Sequence, residues 1–174
     1  MLPVAVLVLA ACGVQEPAPA PGESAKIKTP TQAALRLSGS GLALGADTAA
    51  FGSAREAAEN MATRHLSASP ELFDSDECGA GPMAFSRYPG GLMLNFQDGM
   101  LVGWFLAEAN NRVSLGNGLA VGSAQRVVEA LPGFELDPES TLGLEFYSEA
   151  DGVGGFIEDG KIVGLYAGVN CFFR

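Results

Sequence analysis

The side chains best suited to chemistry are few: one histidine, His65, and three cysteines, Cys12, Cys78 and Cys171. His65 falls four residues after Met61, on the apolar side of a helical pattern, where a lone histidine serves packing or a helix C-terminus more often than proton transfer. No serine sits in a G-x-S-x-G elbow, and neither Cys78 nor Cys171 has a base close by in sequence. The spacings C-x-x-C and H-E-x-x-H, which would gather thiolates or imidazoles around a metal, do not occur. "DSDECG" (Asp74–Gly79) opens like a calcium loop, with acids at its first and third positions and glycine at its sixth. Its fifth position is Cys78 and its twelfth is Phe85, where a bidentate glutamate is needed, so it reads as a solvated acidic loop. The sequence therefore predicts no catalytic residue, no cofactor and no metal.

Cys12 has a different chemistry. Leu2 to Ala11 is an unbroken apolar run, too short to span a bilayer as a mature helix but suited to the core of a signal peptide. It ends in Leu-Ala-Ala-Cys, where small residues admit a peptidase and the thiol can take a diacylglycerol thioether and palmitate. No Lys or Arg precedes the run, which departs from the usual signal-peptide start. Gly13 stands where an aspartate would favour inner-membrane retention, so the expected address is the bacterial envelope, on the outer membrane facing the periplasm. Residues 1–11 are thus read as signal peptide. Residues 12–34, rich in proline, are read as a tether too polar to offset its ordering entropy.

About 140 residues follow, enough for one ordinary core or two small packed units. The net charge of −10 and pI of about 4.4 exclude phosphate-backbone binding as a main activity, so no nucleic-acid partner is expected. Setting Cys12 aside leaves Cys78 and Cys171, which in an oxidising exported compartment are expected to pair; two buried free thiols are the alternative.

Within those residues the chain repeats itself. "GSAREAAENM" (Gly52–Met61) aligns with "GSAQRVVEAL" (Gly122–Leu131), and Ala54, Ala57, Ala58 and Met61 match Ala124, Val127, Val128 and Leu131. That i, i+3, i+4, i+7 spacing marks one face of a helix. Ser53 is the expected N-cap, with Glu56 completing a capping box. Each helix is followed by Asp-Gly between apolar runs, "FQDGMLVGWF" (Phe96–Phe105) and "IEDGKIVGLY" (Ile157–Tyr166), the signature of a two-residue hairpin. Further strands are expected at Met83–Tyr88, Leu142–Tyr147 and Val169–Phe173. The expected fold is α+β: two tandem units, 35–115 and 116–174, each a short helix followed by an antiparallel β-meander.

An ideal hairpin register places Met93, Val102 and Trp104 on one face, with Phe156, Val163 and Leu165 in the corresponding places of the second unit. Phe96, Leu101, Leu92 and Phe105 fall on the opposite, helix-covered face, and Gly103 leaves room for the helix there. The first face holds the chain's single tryptophan and is the candidate binding face. Its alternative is burial between the two units.

"ECGAG" (Glu77–Gly81), "FQDG-hydrophobic-VGW" (Phe96–Trp104), "GL-x-VGS" (Gly118–Ser123) and "AG-x-x-CFFR" (Ala167–Arg174) resemble motifs of a group of small exported bacterial lipoproteins of unknown function. The resemblance covers most of the chain beyond the tether and implies no activity. A looser resemblance, in architecture and in the G-S-x-x-x-hydrophobic helix start, is to the tandem fold of the β-lactamase inhibitor protein and to the small lipoprotein of the barrel assembly machinery. It implies a sheet face that binds a partner, although the units here lack the inhibitor's disulfide within each repeat. The expected function is a non-enzymatic envelope lipoprotein, held to the membrane by its N-terminal lipid and binding a protein or envelope component. The alternatives are a periplasmic hydrolase and a purely structural envelope protein.

Overall fold

The computed structural model describes residues 34–172; the expected signal peptide over 1–11, nearly all of the expected tether with the expected lipid site Cys12, and Phe173 and Arg174 lie outside them. Among the described residues there are twelve strands in two sheets and two helices, of 12 and 5 residues. This overturns the α+β expectation of a helix heading each unit: the fold is mainly β. The second helix is a single turn because Pro132 cannot continue it and Gly133 takes a positive φ of 79° just beyond it.

Strands β1 (Leu35–Ser38), β2 (Gly41–Leu44) and β3 (Asp47–Ala50) form an antiparallel meander that β8 (Val113–Leu115) joins in parallel beside β1. The larger sheet runs β4 (Glu71–Ser75), β5 (Met83–Arg87), β6 (Leu92–Gln97), β7 (Met100–Leu106), β12 (Lys161–Gly168), β11 (Val153–Glu158), β10 (Leu144–Ser148) and β9 (Glu135–Asp137). All its ladders are antiparallel, and its halves meet at β7 and β12. Helix α1 (Arg55–Leu66) buries Ala58, Met61, Ala62, His65 and Leu66, the one-sided spacing that its sequence dictates. Its Ala58, Met61, Ala62 and Leu66, Leu35, Leu37 and Leu42 of the small sheet, and Leu92, Leu94, Phe96, Leu101 and Leu106 of the large sheet form one apolar cluster.

Each helix start is stitched to a hairpin in the same way. The amides of Gly52 and Arg55 donate to the carbonyls of Leu101 and Gly99, and Leu101 donates back to Ser53. Gly122 and Gln125 donate to Ile162 and Gly160, and Ile162 donates back to Ser123. The turns Asp98-Gly99 and Asp159-Gly160 all have positive φ, as a type I′ turn requires. This stitching displaces the expected cap. The Ser53 carbonyl is engaged by the hairpin, and Ala54, bridged to Met100, precedes the helix with no side-chain cap bond.

Candidate binding face

Both Asp-Gly hairpins contain a β-bulge three residues past the glycine of the turn, at Val102 and at Val163. On β7, Leu101 pairs with Phe96 but Gly103 pairs with Asn95, which leaves Val102 unpaired. On β12, Ile162 pairs with Ile157 but Gly164 pairs with Phe156, which leaves Val163 unpaired. One extra residue reverses every side chain beyond it. Trp104 and Leu165 therefore turn into the core, each fully buried, while Phe105 and Tyr166 turn to the outer face. The candidate face of Met93, Val102, Trp104, Phe156, Val163 and Leu165 is thus not one surface. Trp104 and Leu165 leave it, and the other four remain on the outer face of the large sheet.

Over β4–β7 that outer face is closed. The Cys78 loop folds back across it, with the Gln97 side-chain amide donating to the Ala80 carbonyl at 2.8 Å. Cys78, Met83 and Phe85 are buried there with Phe73, Met93, Val102, Val169 and Cys171 packed against them. Cys78 and Cys171 form a disulfide, with Cα atoms 5.0 Å apart. The expected last strand over Val169–Phe173 is absent among the described residues. β12 ends at Gly168, whose φ of 67° turns the chain across the face, so Cys171 lies on an irregular tail. Asn95, fully buried, donates to the Val169 carbonyl at 3.0 Å and to Asn170 Oδ1 at 2.8 Å. Gly103 makes room for this tail rather than for the helix: a Cβ there would collide with the Val169 carbonyl oxygen.

Over β9–β12 no loop matches the one carrying Cys78, and the outer face stays partly open. Phe172 of the tail meets Tyr166 at 5.1 Å, Phe156 at 5.2 Å and Phe105 at 6.1 Å between ring centroids, edge-on in each case. Beyond it, Tyr147 is 42% exposed beside Tyr166, and Val163 is 40% exposed. A cleft of about 1100 Å³ lies here, lined by Glu135, Asp137, Glu145, Tyr147, Glu149 and Tyr166 among others. Glu145 is buried and accepts from the Tyr166 hydroxyl and, at 2.6 Å, from Ser140 Oγ. The segment 133–159 carries eight Asp and Glu and no Lys or Arg, which makes this half of the molecule strongly anionic.

The remaining polar groups serve the fold. His65 is 3% exposed, and its Nε2 lies 2.7 Å from the Arg112 carbonyl and 3.2 Å from the Leu35 amide; the Arg112 guanidinium in turn caps the carbonyls of His65 and Leu66 at the end of α1. Sequence reasoning missed a network under α1. Glu59 Oε1 accepts from Arg55 Nε at 2.7 Å and from Ser86 Oγ at 2.5 Å, and Ser86 is fully buried. Such a Ser–Glu–Arg set resembles a catalytic group in composition, yet its hydroxyl is shut away from any substrate. Tyr88 beside it donates to the Glu59 carbonyl at 3.1 Å. Burial pushes its hydroxyl above the ordinary value of 10.0; the bond to Thr63 works against the rise, Glu59 adds to it, and Arg55 opposes it. Only the i, i+4 spacing of Arg55 and Glu59 was visible in the sequence; Ser86 and Tyr88 reach them through the fold. Among the described residues no three His, Cys, Asp or Glu side chains converge to hold a metal. Compared with protein-family models, curated proteins and solved structures, the chain matches none of them.

Proposed function

We propose that this chain is a lipid-anchored protein of the bacterial envelope that works as a non-enzymatic binding module, docking a basic protein segment on the outer face of β9–β12. The observation that carries this reading is the open, anionic aromatic cleft around Tyr147. Aromatic anchors at such a surface bury much area at modest entropic cost, and the surrounding carboxylates select a partner of opposite charge. The accessible face sits on rigid strands, while the single histidine and the Ser86 hydroxyl are buried and committed to structure.

The lipid anchor rests on Leu-Ala-Ala-Cys12 and the proline-rich stretch after it, and on the resemblance to exported lipoproteins. Replacing Cys12 by serine should move the protein from the membrane to the soluble fraction, and unchanged fractionation would refute the anchor. We also read the two halves of the large sheet as products of duplication. The support is the matched set of hydrogen bonds from Gly52 and Gly122 and the bulges at corresponding valines.

The docking reading is tested by adding an alternating Lys–Leu peptide to the isotopically labelled domain and following its backbone amide resonances. Shifts should gather at Tyr147, Phe156, Val163 and Tyr166 and fade with added salt. Shifts scattered over the small sheet, or none, would sink the proposal.

A further inference from the structure

We propose that the Cys78–Cys171 disulfide is a redox latch, which holds the C-terminal tail as an autoinhibitory plug on the inner part of the docking face. This rests on the docking reading above and adds its regulation.

The hydrogen bonds that hold the tail beyond Gly168 stop at Asn170; past it, Cys171 is held by the disulfide and by packing in the Cys78 cluster. Its strand pairing ends at Gly168; one backbone bond, from the Val169 amide to the Val102 carbonyl at 2.8 Å, the Asn95 side chain, and the Asn170 side-chain amide donating to the Ala167 and Gly168 carbonyls then fix Val169 and Asn170. Cys171 and Phe172 have no strand partner. The disulfide ties Cys171 to a loop 93 residues away in sequence. Immediately after that tie, Phe172 seats its ring among Phe105, Phe156 and Tyr166, covering aromatic surface continuous with the open cleft at Tyr147 and Tyr166. The sheet leaves space for this cluster: a Cβ on Gly154 would strike the Tyr166 ring. The bond therefore closes a site made by β7, β11 and β12, although neither cysteine belongs to the strands that form it. Those strands keep their own ladders without it.

A dithiol of the periplasmic reductase class would open the latch. Its thiolate attacks one sulfur of the bond and releases the other cysteine as a thiolate. Its second thiol then resolves the mixed disulfide, so that two electrons pass to Cys78 and Cys171 as the dithiol becomes a disulfide. Both cysteine sulfurs take up protons, and the tail from Cys171 is free to lift, taking Phe172 off the face.

The experiment compares the oxidised protein, the protein reduced by a small dithiol and then alkylated, and oxidised Phe172→Ala. Amide exchange of residues 169–172 and affinity for the Lys–Leu peptide are read for each, with near-ultraviolet circular dichroism confirming a folded domain. Reduction should speed exchange of the tail several-fold, leave β11 and β12 protected, and tighten peptide binding several-fold. Phe172→Ala should tighten binding without reduction. Unchanged tail exchange after complete alkylation would overturn the latch, as would loss of protection throughout the domain, which would make the bond a structural staple. Weaker binding by Phe172→Ala would also overturn it, since the ring would then be part of the receptor. If the tail is released but the peptide binds none of the three forms, the docking reading fails while the latch motion stands. If the peptide binds all three forms equally at the Tyr147 cleft, docking stands and the plug fails.

Discussion

The Trp104 indole donates its Nε1 hydrogen to the Ser38 carbonyl at 2.8 Å, a bond that ties the centre of the large sheet to the end of β1 in the small one. Trp104 is fully buried, so it acts as a peg between the sheets rather than an anchor for a partner. Trp104→Ala should cost about 3–5 kcal/mol through cavity formation and lost burial. Trp104→Phe should cost about 1–3 kcal/mol, mainly by leaving the Ser38 carbonyl unpaired. Chemical denaturation checks both values, and a melting curve unmoved by Trp104→Ala would contradict the peg.

The position of Tyr88 predicts a particular alkaline behaviour. Because burial raises its pKa, the native state holds that proton more tightly than the unfolded chain does. The stabilisation is complete below the ordinary value of 10.0 and is lost as pH climbs from there through the higher native value. In a tyrosinate absorbance titration, Tyr88 should ionise late, together with unfolding. Tyr88→Phe should remove that late step and flatten the fall in stability above pH 10.0.

Gly103 is where the tail comes closest to the sheet. In Gly103→Ala the new methyl would meet the carbonyl oxygens of Val169 and Ala167, so the tail has to rise. The expected cost is about 1–3 kcal/mol, as for other overpacked sites. Amide exchange at Val169 should accelerate. Exchange at Ile162 should not, because its partner Ser123 is untouched.

Local chemistry made parts of this fold legible in the sequence. Asp98-Gly99 and Asp159-Gly160 announced both hairpins, and the spacing of Ala54, Ala57, Ala58 and Met61 announced α1, although only Ala58 and Met61 of these are buried and the covered face continues through Ala62, His65 and Leu66 instead. The expectation of an oxidising compartment paired Cys78 with Cys171, and the structure joins them. What the sequence hid was long-range or a matter of one residue. A bulge at Val102 or Val163 leaves no trace in composition, yet it moves Trp104 and Leu165 from one face to the other. The small sheet depends on a parallel pairing of Leu35–Leu37 with Val113–Leu115, which no local pattern encodes. The tail read as a strand over Val169–Phe173 because most of its side chains suit one; the left-handed backbone at Gly168 ends the ladder instead. Of the residues on the outer face of β9–β12, the sequence pointed to Phe156 and Val163, whereas Tyr147, Tyr166 and Glu145 came together only when β10, β11 and β12 were placed side by side.

The central claim is that the outer face around Tyr147 binds a basic partner, and the affinity of Tyr147→Ala for the Lys–Leu peptide tests it most directly. Tyr147 is 42% exposed, so its removal should leave the melting transition nearly unchanged. If it is an anchor, binding should weaken by about 2 kcal/mol, roughly 30-fold in Kd. A variant that melts like the wild type and binds the peptide equally well would contradict the account.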